Sequence, residues 1–145
     1  MVDASVGIKL FVREDHSPEA KALFLEIGEN ASFQLYVPDL FYVECANILW
    51  KHVRRSGYSA PDAVKDVTSL KSLNLKSVPT ALLMPRALEL ALKWEITAYD
   101  ASYLALAERL KAPLVTADEK LMKRVIPSSG NQTRNLRIEW IGKIS

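Results

Sequence analysis

Apolar positions along the chain change period repeatedly, and each change marks a new element. After Asp3 the run ASVGIKLFV has helical spacing, and EAKALFLEIGEN follows Ser17-Pro18, where proline suits a first turn. FQLYVP reads as a short strand ending at Pro38. Residues 40–55 carry the clearest helical pattern, stopping near Gly57; a further helix is predicted at about 60–71, with Ser59 as N-cap and Pro61 in its first turn. LNLKSVP alternates as a strand, and Thr80 then stands where it would cap a helix over 81–93, with Pro85 in its first turns. Residues 100–111 read as helix, APLVTA as a buried strand, 118–125 as a short helix, PSSGNQTRN as a loop and LRIEWIG as a last strand. Strands alternating with helices predict an α/β fold: three α/β/α layers around a central, mainly parallel sheet. No repeat, low-complexity tract or linker divides the chain, so residues 1–145 read as a single domain.

Composition narrows the setting. The hydrophobic fraction is 49%, yet charges interrupt every apolar run before it reaches bilayer-spanning length. Asp3 and Lys9 break the N-terminal run, so no signal peptide is expected and no membrane partner. Cys45 is the one cysteine, which excludes an intramolecular disulfide and points to the cytoplasm. A net charge of +2 is a weak nucleic-acid signal, although gathering acids in one cleft would leave the remaining surface more basic. The apolar content predicts a face covered by a second copy or a partner, with Phe11, Phe41 and Tyr42 as its lining.

Four acids stand out by position. Asp3 follows Met1-Val2, Asp118 follows PLVTA, Asp100 closes ITAYD and opens DASYLALAERL, and Glu44 lies inside LFYVECANILW with no other charge in the run. Carboxylates withdrawn from water cost several kcal/mol each unless compensated. Asp is a favoured N-cap, which gives the three aspartates an ordinary structural reading. Glu44 resists it, because no lysine or arginine lies at i±3 or i±4. In a parallel α/β sheet these acids would meet beyond the carboxyl ends of the strands. Four hard oxygen donors without His or Cys point to Mg²⁺ or Mn²⁺ rather than Zn²⁺. Asn47, one turn beyond Glu44, and the hydroxyls of Ser5 and Thr116 are supporting candidates.

The ordered motifs DASV at 3–6, ECAN at 44–47, YDASYLALA at 99–107 and TAD at 116–118 resemble those of PIN-domain nucleases, most closely the VapC-type toxins of toxin–antitoxin pairs. The resemblance runs from Met1 to about Val125. It implies a PIN-like α/β/α domain, metal-dependent endoribonuclease activity on RNA, homodimerisation and inhibition by a VapB-type antitoxin. It also implies that Asp3, Glu44, Asp100 and Asp118 form the catalytic, metal-holding quartet, with Ser5, Asn47 and Thr116 in support. Only two residues precede Asp3, so the first strand is either minimal or starts upstream, and the tail from about Pro127 carries no recognised motif.

Other features have plainer readings. KHVRR at 51–55 reads as a solvated helix end whose cations complement the dipole, although Lys51, Arg54 and Arg55 could track phosphates. Lys120, Lys123 and Arg124 follow Asp118 and are candidate RNA contacts. His16 and His52 lack partners at ligand or triad spacing, Cys45 reads as core, and Trp50, Trp94 and Trp140 read as packing residues. No GxxxxGK or GxGxxG occurs, against nucleotide-driven work. Two other functions compete: a receiver-like metal-binding signalling domain, which would want adjacent acids after its first strand, and an inactive PIN-like scaffold.

Overall fold

The computed structural model describes residues 1–126 and 136–144, so the expected loop PSSGNQTRN lies outside the described residues. Helix α1 (Ala4–Gly7) continues as a 3₁₀ turn over Ile8–Leu10, so the first expected helix is one turn followed by a tighter one. Then come α2 (Ser17–Glu29), β1 (Tyr36–Pro38), α3 (Leu40–Ser56), α4 (Ala60–Lys71) and β2 (Lys76–Val78). They are followed by α5 (Met84–Trp94), α6 (Ala98–Leu110), β3 (Leu114–Thr116), α7 (Glu119–Val125) and β4 (Ile138–Trp140). Helices thus surround strands of three residues each. Every strand pairing among the described residues is parallel, as the alternating pattern requires. The expected central sheet takes the form of two parallel ladders, β1 with β2 and β3 with β4, and Val2 bridges to Val115 beside the second. The chain before α1 contributes that one bridge, tied down where the Val115 N–H donates to the Met1 carbonyl.

Local chemistry sets the element ends. Ser59 caps α4 by accepting from the Asp62 N–H at 3.3 Å, and Gly57 closes α3 with φ of 69°. Thr80 does not cap the next helix. It opens a 3₁₀ turn, and its N–H donates to Asp39 Oδ1 at 2.8 Å, so α5 starts later, at Met84.

The core gathers around α6, which contacts both β1 and β3 and packs along α5. Ala101 through Ala107 are all buried, so the middle of this helix is enclosed on every side, and its alanines let neighbours approach closely. Helix α1 packs on α3 and β3. Phe41, expected at an exposed partner surface, is instead fully buried in the core against Gly7, because its position on α3 faces α1. Phe11 and Tyr42 are partly buried against the same core. Exposed apolar side chains elsewhere include Val43 and Trp50 on α3 and Leu88 and Leu92 on α5. Trp50, expected to pack, is 57% exposed, whereas Trp94 is buried. Among the described residues, no helix is long and apolar enough to cross a membrane.

Candidate active site

Asp3 stands where the bridge at Val2 gives way to α1, and caps that helix by accepting from the Val6 N–H at 3.2 Å. Ser5 Oγ donates to Asp3 Oδ1 at 2.5 Å, and Thr116 Oγ1 donates to Asp3 Oδ2. An ionised carboxylate has no proton to give, so in both bonds the hydroxyl donates. The Ala117 N–H donates to Ser5 Oγ and the Asp118 N–H to Thr116 Oγ1, both at 2.9 Å. Each hydroxyl accepts from the backbone and donates to Asp3. Three donors thus converge on a carboxylate with about four acceptor positions, leaving one on Oδ2.

The other three acids arrive from separate elements. Asp118, just past β3, caps α7 by accepting from the Lys120 and Leu121 N–H groups at 2.8 and 3.1 Å. Asp100 does not open its helix. The helix begins at Ala98 behind the Thr97 cap; Asp100 sits in its first turn and donates its N–H to Thr97 Oγ1 at 3.1 Å, while that hydroxyl donates to Asp100 Oδ2 at 2.7 Å. Glu44, one turn into α3, accepts from the Tyr103 hydroxyl at 2.5 Å.

One cleft of about 190 Å³ is lined by all four acids together with Ser5, Asn47, Lys51 and Tyr103. Thr116 supports it from behind through Asp3. Burial is the largest cause of each shifted carboxyl pKa: Asp3 is pushed up to about 6, and Glu44 and Asp100 are raised. Like charge adds to this, Asp118 acting on Asp3 and Asp100, and Asp100 and Asp3 acting on Glu44. No ion pair among the described residues includes any of the four. Nor, among those residues, do three or more His, Cys, Asp or Glu side chains stand close enough together to hold a metal ion.

Tyr103 was not legible as a site residue, although its spacing from Asp100 places both on one face of α6. Lys51, read as part of a solvated helix end, lines the cleft. Lys120 and Lys123 line a neighbouring groove, but Arg124 reaches Glu95 at 3.3 Å and lines neither cavity. His52 lies at 3.4 Å from Glu14 and Cys45 is buried in the core, its thiol pushed up by burial; neither lines the cleft.

Parallel strands wrapped by helices, with acids at the strand ends, define the class of protein, and the chain matches the PIN-domain family model over residues 1–126. The chain belongs to the PIN-domain family. Among its relatives, Ribonuclease VapC3 of Pyrobaculum aerophilum is 36% identical, the match covering 86% of this chain and 92% of that one. Ribonuclease VapC9 of Mycobacterium tuberculosis is 32% identical, covering 83% and 87%. The crystal structure of PAE2754 from Pyrobaculum aerophilum superposes with a TM-score of 0.59 at 26% identity, covering 85% of this chain and 83% of that one.

Proposed function

We propose that this chain is a divalent-cation-dependent endoribonuclease of the VapC type, a single cytoplasmic domain over residues 1–145 held in check by a VapB-type antitoxin. The observation that carries this reading is the cleft itself, where carboxylates from four distant segments meet, Asp3, Glu44 and Asp100 with pKa values raised by burial and by their acidic neighbours, and none ion-paired among the described residues. The relatives' ribonuclease names support the same reaction. Hard oxygen donors fit Mg²⁺ or Mn²⁺, and Mg²⁺ keeps several waters and takes one or two carboxylates directly, so it needs no group of three close ligands.

Asp3, Asp100 and Asp118 are the residues that would hold the ion. Once bound, it supplies charge neutralisation at the scissile phosphate and a lower pKa for the attacking water. The protein groups do the rest. Tyr103, its own pKa raised chiefly by burial, keeps its proton and donates to Glu44 Oε2. Oε1 of Glu44 is thereby left to orient the water and take its proton. Asn47 adds an amide on the same face of α3, and Ser5 and Thr116 keep Asp3 ionised against its burial. Attack by external water breaks the P–O3′ bond and leaves a 5′-phosphate and a 3′-hydroxyl.

Cleavage of a mixed RNA pool in Mg²⁺, abolished by chelation and by Asp100→Asn, is the expected result. Cleavage that survives chelation, or ends carrying a cyclic phosphate, overturns the proposal. The exposed pairs Val43 and Trp50, and Leu88 and Leu92, support the further reading that antitoxin and a second copy cover these helices. Light scattering of the isolated chain is expected to give a dimer mass.

A further inference from the structure

Beside the acidic cleft, and sharing Ser5 and Asp118 with it, lies a groove of about 670 Å³ whose far wall is Trp140 and His16. We propose that this groove holds the nucleotide flanking the cleaved phosphate, its base against Trp140 and His16 and its phosphate at Lys120. The inference rests on the nuclease reading above and adds to it the residues that hold the flanking base.

The aromatic wall is built from separate parts of the chain. His16 has φ of 65° and ψ of 16°, the left-handed region that non-glycine residues seldom occupy. The other described non-glycine residues with positive φ, Glu95 and Lys111, close the C-terminal ends of α5 and α6, where that conformation is common. His16 instead precedes a helix, and strain of this kind gathers at ligand sites. Its ring lies edge-to-face on Trp140, centroids 5.6 Å apart and planes at 85°. Gly142 closes behind them. A Cβ there would stand 2.6 Å from His16 Cε1 and 2.8 Å from Trp140 Nε1, so only glycine allows this approach. Both rings remain partly exposed.

The charges divide the work. Lys9 is tied to Glu14 at 3.1 Å and Lys123 to Glu119 at 2.9 Å. Among the described residues no ion pair engages Lys120, which lines the groove two positions beyond Asp118. With Asp15, Asp118 and Glu119 offsetting the three lysines, general attraction for polyanions is small. Binding therefore depends on stacking at the wall together with one phosphate contact.

Anisotropy of end-labelled decamers of oligo(U) and oligo(A) and of an abasic decamer of the same backbone, with tryptophan quenching beside it, tests this in an Asp100→Asn, Trp50→Phe protein. The base-bearing decamers are expected to quench and to bind roughly ten-fold tighter than the abasic one. Trp140→Leu removes that advantage and leaves abasic binding unchanged. Lys120→Ala weakens all three alike and lowers the salt slope by about 0.7. His16→Ala, which takes away the second ring alone, keeps the test open should Trp140→Leu fail to fold. Equal affinity for base-bearing and abasic decamers, or base preference intact in both ring variants, overturns the groove. Because binding is read without cleavage, failure of the nuclease reading shows separately, in the RNA-pool assay.

Discussion

Asp3 accepts from two hydroxyls and one backbone N–H, yet burial still pushes its pKa up to about 6. The hydroxyls therefore offset the desolvation cost only in part, and removing one should be felt twice. Thr116→Val keeps the shape, takes a donor from Asp3 and leaves the Asp118 N–H without its acceptor. A loss of about 1–3 kcal/mol is expected in urea unfolding. A change within experimental error would mean that the buried carboxyl is neutral and indifferent to its donors. Asp100→Asn should behave in the opposite way. Its amide oxygen can still accept from Thr97, while the charge that burial and Asp118 disfavour is gone. Cation-free melts should therefore show the variant equal to wild type or more stable. Marked destabilisation would make the Thr97 contact its main purpose.

At the scale of elements, α1 carries Asp3 and Ser5 while α3 carries Glu44 and Asn47, so their packing fixes the width of the cleft. Gly7 is the point of closest approach. A Cβ there would stand 2.5 Å from Phe41 Cζ, and Phe41 is fully buried with nowhere to turn. Gly7→Ala should cost about 1–3 kcal/mol as an overpacked contact. It should also lower cleavage at saturating Mg²⁺, since forcing the helices apart separates Glu44 from Asp3. Full activity in a destabilised variant would show that the cleft tolerates a looser α1–α3 contact. Strand positions and the α3 and α4 boundaries were legible because period, proline and glycine are local signals. The start of α6 lies before Asp100 because Thr97 is the cap, and T-x-x-D before an apolar run is itself a cap signature. The start of α5 was misplaced because Thr80 spends its N–H on Asp39, a partner 41 residues away.

For the whole molecule, the acidic cleft sets stability against pH. Asp3, Glu44 and Asp100 all have folded-state values above their unfolded ones, so the folded protein holds extra protons between the two. Stability from these groups is therefore present at low pH and lost as pH rises. For Asp3 the window runs from 3.8 to about 6. Subtracting the stability of Asp3→Asn from that of wild type isolates this residue. The difference should move against wild type by up to about 3 kcal/mol across that window without divalent ions. Adding Mg²⁺ at neutral pH should restore it, by about 2.7 kcal/mol when the ion is a hundred-fold above its dissociation constant. A pH-independent difference, or no response to Mg²⁺, would remove the electrostatic argument for a cation.

The sequence by itself determined the alternation of helices and parallel strands, and marked the four acids, because periodicity and a charge in an apolar run are properties of neighbours along the chain. Tertiary structure alone decided that Tyr103 would donate to Glu44, that Phe41 would leave the surface for the core, and that His16, Trp140 and Gly142 would meet beside Asp118. Those outcomes depend on which faces pack together, and side-chain contact between residues dozens of positions apart leaves no local pattern to read.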